Sequence, residues 1–310
     1  MRVKVLGSAA GGGVPQWNCA CGNCEGVRRS TLKISARTQT QLAVTADDQS
    51  WFLLNASPDL RQQILSASEL APAGGSRDSP IAGIILASAD VDAVMGLLHL
   101  REFHPLRIYS TPAIRRILTE DNTLFRTLER SNPSAEWCDL RLGEEVTLSG
   151  IPCSSKREPL RCTAIPLEGA YPDYLSSRLS DTLPPEEATV ALLVSDGQKK
   201  IFFAPGLPGS IEKWKPHFMA ADLALLDSTF WRDDELVDVR GAGKTARQMG
   251  HPPLSGKGGL LEELRGENGP RRVAIHINNT NPILNEESPE RRAVLDAGWE
   301  IARDGMEFVP

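Results

Sequence analysis

Leu86-Ala-Ser88-Ala-Asp90-Val-Asp92-Ala93-Val-Met-Gly96-Leu-Leu98 closes an apolar run that begins at Ile81. The run Ile81–Ala87 is short, isoleucine-rich and free of charge, which predicts a strand buried on both faces. Asp92–Arg101 reads as a helix, so strand, acidic loop and helix form one βα unit. Two carboxylates at i and i+2 on such a strand end can point the same way and bind a divalent cation. They can also cap the helix and complement its N-terminal dipole. This stretch alone favours capping.

Outward from this unit, Val3-Lys-Val-Leu predicts a first strand followed by the glycine-rich loop Gly7–Gly13. Thr38–Val44 alternates and Ser50–Asn55 is apolar; with Asp47-Asp48 between them they read as an antiparallel hairpin. Ser57 and Pro58 have the form of an N-cap and first helical residue. Pro72–Pro80 reads as a loop, and Leu106–Tyr109 as a strand. Further strands are expected at Leu160–Pro166, Val190–Val194, Lys200–Phe203, Leu223–Leu226, Arg272–Ile277 and near Glu307, with helices at Ser210–Ala220, Gly259–Leu264 and Glu287–Ala297. Hairpins first and βα units after them suit a layered α/β or α+β fold with more than one sheet. No internal repeat or low-complexity linker divides the chain, so one domain over residues 1–310 is expected.

The 310 residues carry 34 basic against 40 acidic side chains, a net charge of −6. Phosphate binding needs a clustered basic surface. Arg28-Arg29 and Lys156-Arg157 are isolated pairs, so no nucleic-acid partner is expected. The opening lacks a secretory h-region, and no stretch approaches the roughly 18–20 apolar residues that span a bilayer. A cytoplasmic location without a transmembrane segment follows as an expectation, and disulfides are not expected there.

Three of the six cysteines fall at Cys19, Cys21 and Cys24, on a turn-rich segment where Gly22 permits a reversal. Thiolates at this spacing can converge on zinc at about 2.3 Å per bond, and a closed tetrahedral site is structural. A fourth ligand must come from elsewhere. Cys138, Cys153 and Cys162 are scattered and read as core or inert thiols. Gly241-Ala-Gly243-Lys244-Thr245 imitates the end of a P-loop, but Asp238 stands where its first glycine belongs. A carboxylate has the wrong sign for a phosphate cradle. His99, His104 and His217 read as structural or solvated. His251 is pinned in a loop before two prolines. His276, ahead of Asn278, Asn279 and Asn281, ends a buried strand, and the amides read either as Asx turns or as a ligand site.

The opening loop with its cysteines, together with LLNASPDLRQ (53–62), GLLHLRE (96–102), FAPGLP (203–208), DSTFWRDD (227–234), Met249–His251 and HINNTNPIL (276–284), resembles metallo-β-lactamase-fold proteins of the phosphodiesterase type. More narrowly it resembles the coenzyme PQQ synthesis protein B family, from Met1 to about Gly305. The resemblance implies an αβ/βα four-layer sandwich of two mixed β-sheets. Hydrolases of this fold carry H-x-H-x-D-H, which aligns with Ser88, Asp90, Asp92 and Ala93. Three ligating histidines are therefore missing, the bridging aspartate maps near Phe203, and hydrolysis is not expected. Asp92 and His276, with Asp90 and His251 in reach, remain as candidate catalytic residues for one active-site metal, and the set suits Fe(II) or Mn(II) better than a zinc pair. Cys19, Cys21 and Cys24 would hold the structural zinc, with His276 or Asn279 as the fourth ligand. The implied role is pyrroloquinoline quinone (PQQ) biosynthesis. Two forms stay open: iron- and O2-dependent hydroxylation of the Tyr ring in a precursor cut from a Glu/Tyr-containing peptide, or carriage of PQQ or that precursor toward the periplasm. The partner is thus PQQ or its precursor; the assembly state, homodimer included, is not fixed.

Overall fold

Leu42 and Val44 pack in one buried cluster while Ala43 between them packs in another, and Phe52 and Leu54 separate from Trp51 and Leu53 in the same way. In the second half of the chain, Leu223 and Leu225 separate from Ala224 and Leu226, and Val273 and Ile275 from Ala274. Alternation with both faces apolar marks strands covered on both sides. The cluster shared by both halves fills the space between two sheets, and the other two lie under outer helices. The layers run helix, sheet, sheet, helix: the metallo-β-lactamase fold. This computed structural model describes every residue except 75–77, 103–105, 130–134, 151–158 and 267. His104, Cys153, Lys156-Arg157 and the middle of the expected loop 72–80 lie outside the described residues.

The strands in chain order are β1 (Arg2–Gly7), β2 (Gln41–Thr45), β3 (Trp51–Leu54), β4 (Ile81–Ile85), β5 (Leu106–Ser110), β6 (Ala135–Asp139), β7 (Glu145–Thr147), β8 (Arg161–Pro166), β9 (Val190–Ser195), β10 (Lys200–Ala204), β11 (Leu223–Asp227), β12 (Arg271–Ile275), β13 (Trp299–Ile301) and β14 (Glu307–Phe308). One sheet has the order β14-β1-β2-β3-β4-β5-β6 and the other β13-β12-β11-β10-β9-β8-β7. In each, antiparallel pairs come first and parallel pairs follow, from β3 to β6 and from β10 to β13. The parallel crossovers carry the helices, including Leu60–Ser66, Val91–Val94, Ile211–Met219 and Pro289–Asp296. Their strands end on the edges where the acidic loop and the amide run begin.

Several local expectations are corrected. The cysteine segment is helical: Cys21 is the N-cap of helix Gly22–Arg29, so Gly22 starts a helix, and Glu25 pairs with Arg29 one turn on. Thr38–Thr40 stay outside the strand because their backbone is engaged elsewhere; the Thr38 carbonyl accepts from Ser8 and Ala9, and the Thr38 N–H donates to Asp304. Ser57 does not cap a helix: its Oγ accepts from the Asp59 N–H at 3.1 Å, and the helix starts at Leu60. The expected helix Asp92–Arg101 is one α-turn, Val91–Val94, followed by 3₁₀ structure at Met95–Leu100. Close packing accompanies that change. A Cβ on Gly96 would lie 2.2 Å from the Ser57 carbonyl oxygen.

Candidate active site and thiol cluster

The buried run of β11 ends in Asp227, and β12 delivers His276 immediately after its last residue. His276 adopts φ +58°, a left-handed conformation that costs a side-chain-bearing residue about 1 kcal/mol or more. The turn directs its imidazole between the two sheets, where Nε2 lies 3.0 Å from Asp92 Oδ2 and Nδ1 lies 2.8 Å from Thr229 Oγ1. His251 Nδ1 lies 2.8 Å from Asp227 Oδ2 and 3.1 Å from Thr229 Oγ1. Thr229 Oγ1 donates to Asp227 Oδ1 at 2.6 Å. The two imidazoles stack with centroids 5.4 Å apart, and Phe230 meets His251 edge-on. One hydroxyl thus sits against both histidines and the buried carboxylate.

Asp90 occupies the N-cap position but makes no side-chain cap hydrogen bond; it accepts instead from Ser88 Oγ at 2.7 Å. Capping, which the stretch alone favoured, does not describe these carboxylates, because Asp92 is turned to His276. Burial and the Asp92 charge raise the Asp90 pKa, with the Ser88 hydrogen bond opposing. Burial works against ionised Asp92, but the His276 hydrogen bond and charge outweigh it, and its pKa is lowered. Burial likewise opposes a charged His251, and the adjoining Asp227 carboxylate outweighs that and raises it. Asp90, Asp92, His251 and His276 all line one cleft of about 590 Å³, with Ala93 beside them.

Asp227 and Thr229 escaped the sequence reading. Asp227 is fully buried, and its donor atom lies within 4.8 Å of those of His251 and His276. The count of remaining ligands was therefore one carboxylate short. The usable signal was an aspartate directly after the buried run Leu223–Leu226. Two imidazoles and a carboxylate converging in this way fit a single Fe(II) or Mn(II) better than a zinc pair.

The second cluster lies three residues further along the amide run. The sulfurs of Cys19, Cys21 and Cys24 lie within 4.8 Å of one another. Asn279 Nδ2 faces all three, at 3.2, 3.5 and 3.3 Å. His276 is engaged with Asp92 and Thr229, so of the two candidate fourth ligands it is Asn279 that stands at the sulfurs. Asn23 ties the helix to the Asn279 and Asn281 carbonyls at 3.0 and 2.9 Å. Burial opposes ionisation of Cys19, but N–H and thiol donors around it prevail and lower its pKa; burial pushes Cys24 up to about 11. Three thiols at this spacing fit one zinc ion, and Asn279, which here turns its NH2 to the sulfurs, would offer its amide oxygen as fourth ligand once the amide is turned over. Away from both clusters, Cys162 is buried in the core and raised to about 12 by burial, and Cys138 is half-buried. The P-loop imitation follows helix Glu235–Arg240 rather than a strand, which removes the phosphate-cradle geometry.

Residues 50–277 match the model of the β-lactamase superfamily domain. The chain is 44% identical to coenzyme PQQ synthesis protein B of Azoarcus sp. strain BH72 over 317 aligned residues, covering 99% of both chains. It is 42% identical to the protein of the same name from Azotobacter vinelandii, again over 99% of each. The chain belongs to the coenzyme PQQ synthesis protein B family. The crystal structure of zinc-bound PqqB from Methylobacterium extorquens superposes with a TM-score of 0.90 at 37% identity, over 100% of both chains. A diphosphatase of the PhnP family shares the fold, with a TM-score of 0.67 at 16% identity over 100% of this chain and 97% of that one. Within the PQQ synthesis protein B family, then, this member carries Ala93, buried at 4% exposure, where the hydrolase motif has a histidine. Among the described residues no helix is long and apolar enough to cross a membrane.

Proposed function

We propose that this chain acts in pyrroloquinoline quinone biosynthesis by receiving the PQQ precursor in the 590 Å³ cleft and hydroxylating its Tyr-derived ring with O2 and two electrons from an external reductant, one oxygen atom entering the ring and the other leaving as water. The observation that carries this reading is the convergence of Asp227, His251 and His276, with Asp92 against His276. These residues would hold iron(II), which supplies O2 activation when bound. Asp90 is the group placed to hold or move a proton, Asp92 holds the His276 imidazole, and Thr229 orients both imidazoles. Cys19, Cys21 and Cys24, with Asn279, would hold a structural zinc ion.

One observation favours the second reading, a carrier of PQQ or its precursor. Asp92, Asp227, His251 and His276 already satisfy one another through Thr229, and Ala93 adds only a methyl group. Anaerobic Fe(II) titration followed by O2 uptake with the precursor and an added chemical reductant separates the two. The hydroxylase reading expects stoichiometric Fe(II), a hydroxylated product by mass spectrometry, and loss of both in Asp227→Ala and His276→Ala. Tight binding of PQQ or precursor with no Fe(II) binding would overturn it in favour of the carrier.

A further inference from the structure

The cleft does not end at His251. A second chamber of about 430 Å³ opens beside it, and Asp90, Thr189, Gly206, Met249 and His251 line both. Its far wall is the loop that imitates a P-loop, and it presents Lys244 and Arg247. Among the described residues neither cation has a carboxylate partner. The Arg247 guanidinium donates to the Lys257 and Gly258 carbonyls at 3.4 and 2.7 Å, and only its backbone N–H meets an acid, donating to the Asp233 carboxylate at 2.9 Å. Lys244 is exposed on a backbone that Gly241 (φ +73°) and Gly243 (φ +129°) release from side-chain constraints. The same loop is fastened to the catalytic side, since the His251 N–H donates to the Ala246 carbonyl at 3.0 Å. Of the acids on this chamber, Glu168 is already paired with Lys213, whereas Asp173 is exposed on the rim.

We propose that Lys244 and Arg247 are the specificity-determining residues of the substrate site, binding a carboxylate of an aromatic polycarboxylate whose ring lies over Asp92, His251 and His276. This rests on the reading of the cleft as the seat of the PQQ precursor and adds where its charge is held. Two unpaired cations at one end of a chamber and two imidazoles with carboxylates at the other impose one orientation. An acid group placed the other way round would meet Asp92 in addition to Asp90, which borders both chambers. A carboxylate rather than a phosphate fits, because this loop offers side-chain cations and no strand-to-helix cradle.

Equilibrium binding of PQQ and of its trimethyl ester to the full chain tests this. The wild type should prefer the triacid, and its affinity should fall as NaCl rises from about 50 to about 500 mM. Lys244→Glu should weaken triacid binding by about tenfold or more while leaving the ester nearly unaffected. Arg247→Gln should act in the same direction, and its melting temperature checks that the loop is intact. Equal triacid affinity in wild type and variants, or no preference for the acid over the ester, overturns the proposal and leaves the cleft reading standing. A wild type that binds neither compound overturns the cleft reading and this proposal together.

Discussion

Asn279 shows how much one side chain can decide. Its amide NH2 stands 3.2–3.5 Å from three sulfurs, and turning the amide over would put its oxygen where a closed zinc shell needs its last ligand. An amide oxygen is a weak ligand beside an imidazole. Asn279→His should therefore hold zinc more tightly against a chromophoric chelator, and Asn279→Ala should release it sooner. Glu69 carries a different test. Burial opposes its charge, but the Lys4 ammonium hydrogen-bonded to it outweighs that and brings the carboxyl down to about 2. A depressed folded-state pKa contributes stability above the ordinary carboxyl range, and that contribution is lost as pH falls from about 4.5 toward 2. Glu69→Gln should accordingly narrow the difference in urea midpoint between pH 7 and pH 3. Residue types with special chemistry were legible in the chain: Cys19, Cys21, Cys24, Asp92, His251 and His276 stand out by spacing or setting. Asp227 was not, because one acid after an apolar strand looks like an ordinary strand end until its neighbours from other strands are known.

At the scale of elements, the helical stretch Val91–Leu100 between β4 and β5 is set by contact more than by propensity. Gly96 donates to the Ala56 carbonyl at 2.8 Å and leaves no room for a Cβ against Ser57. Gly96→Ala should cost about 1–3 kcal/mol, read as a lower urea midpoint with unchanged slope. The same contact explains why a helix over Asp92–Arg101 was too simple an expectation: periodicity records which face is apolar, not how near another backbone passes. Central strands were legible for the opposite reason, since β4 and the bodies of β9, β10 and β11 are continuous apolar runs. The helix Gly22–Arg29 was hidden because its propensity is poor, with two glycines and a cysteine among eight residues. Its anchorage comes from far away, through Asn23 and the amide run.

The whole molecule is organised around the layer between the sheets, where Phe52, Leu54 and Tyr109 from one half meet Phe203, Leu225 and Ile275 from the other. Neither sheet keeps that face covered alone. Phe203→Ala should cost about 3–5 kcal/mol. Denaturation followed by tryptophan fluorescence and by far-ultraviolet dichroism should then give coincident transitions, as one domain over 1–310 requires. Separate transitions would assign the two sheets to independent units. The join between chain ends has a consequence in time as well. Cys24 precedes its partner Asn279 by 255 residues. At ribosomal rates of about 5–20 residues per second, the three thiols are finished roughly 10–50 s before the amide that covers them exists. During that interval they would be open to oxidants and to any thiophilic ion, so a metal held by these thiols would be selected in part while the protein is still being made.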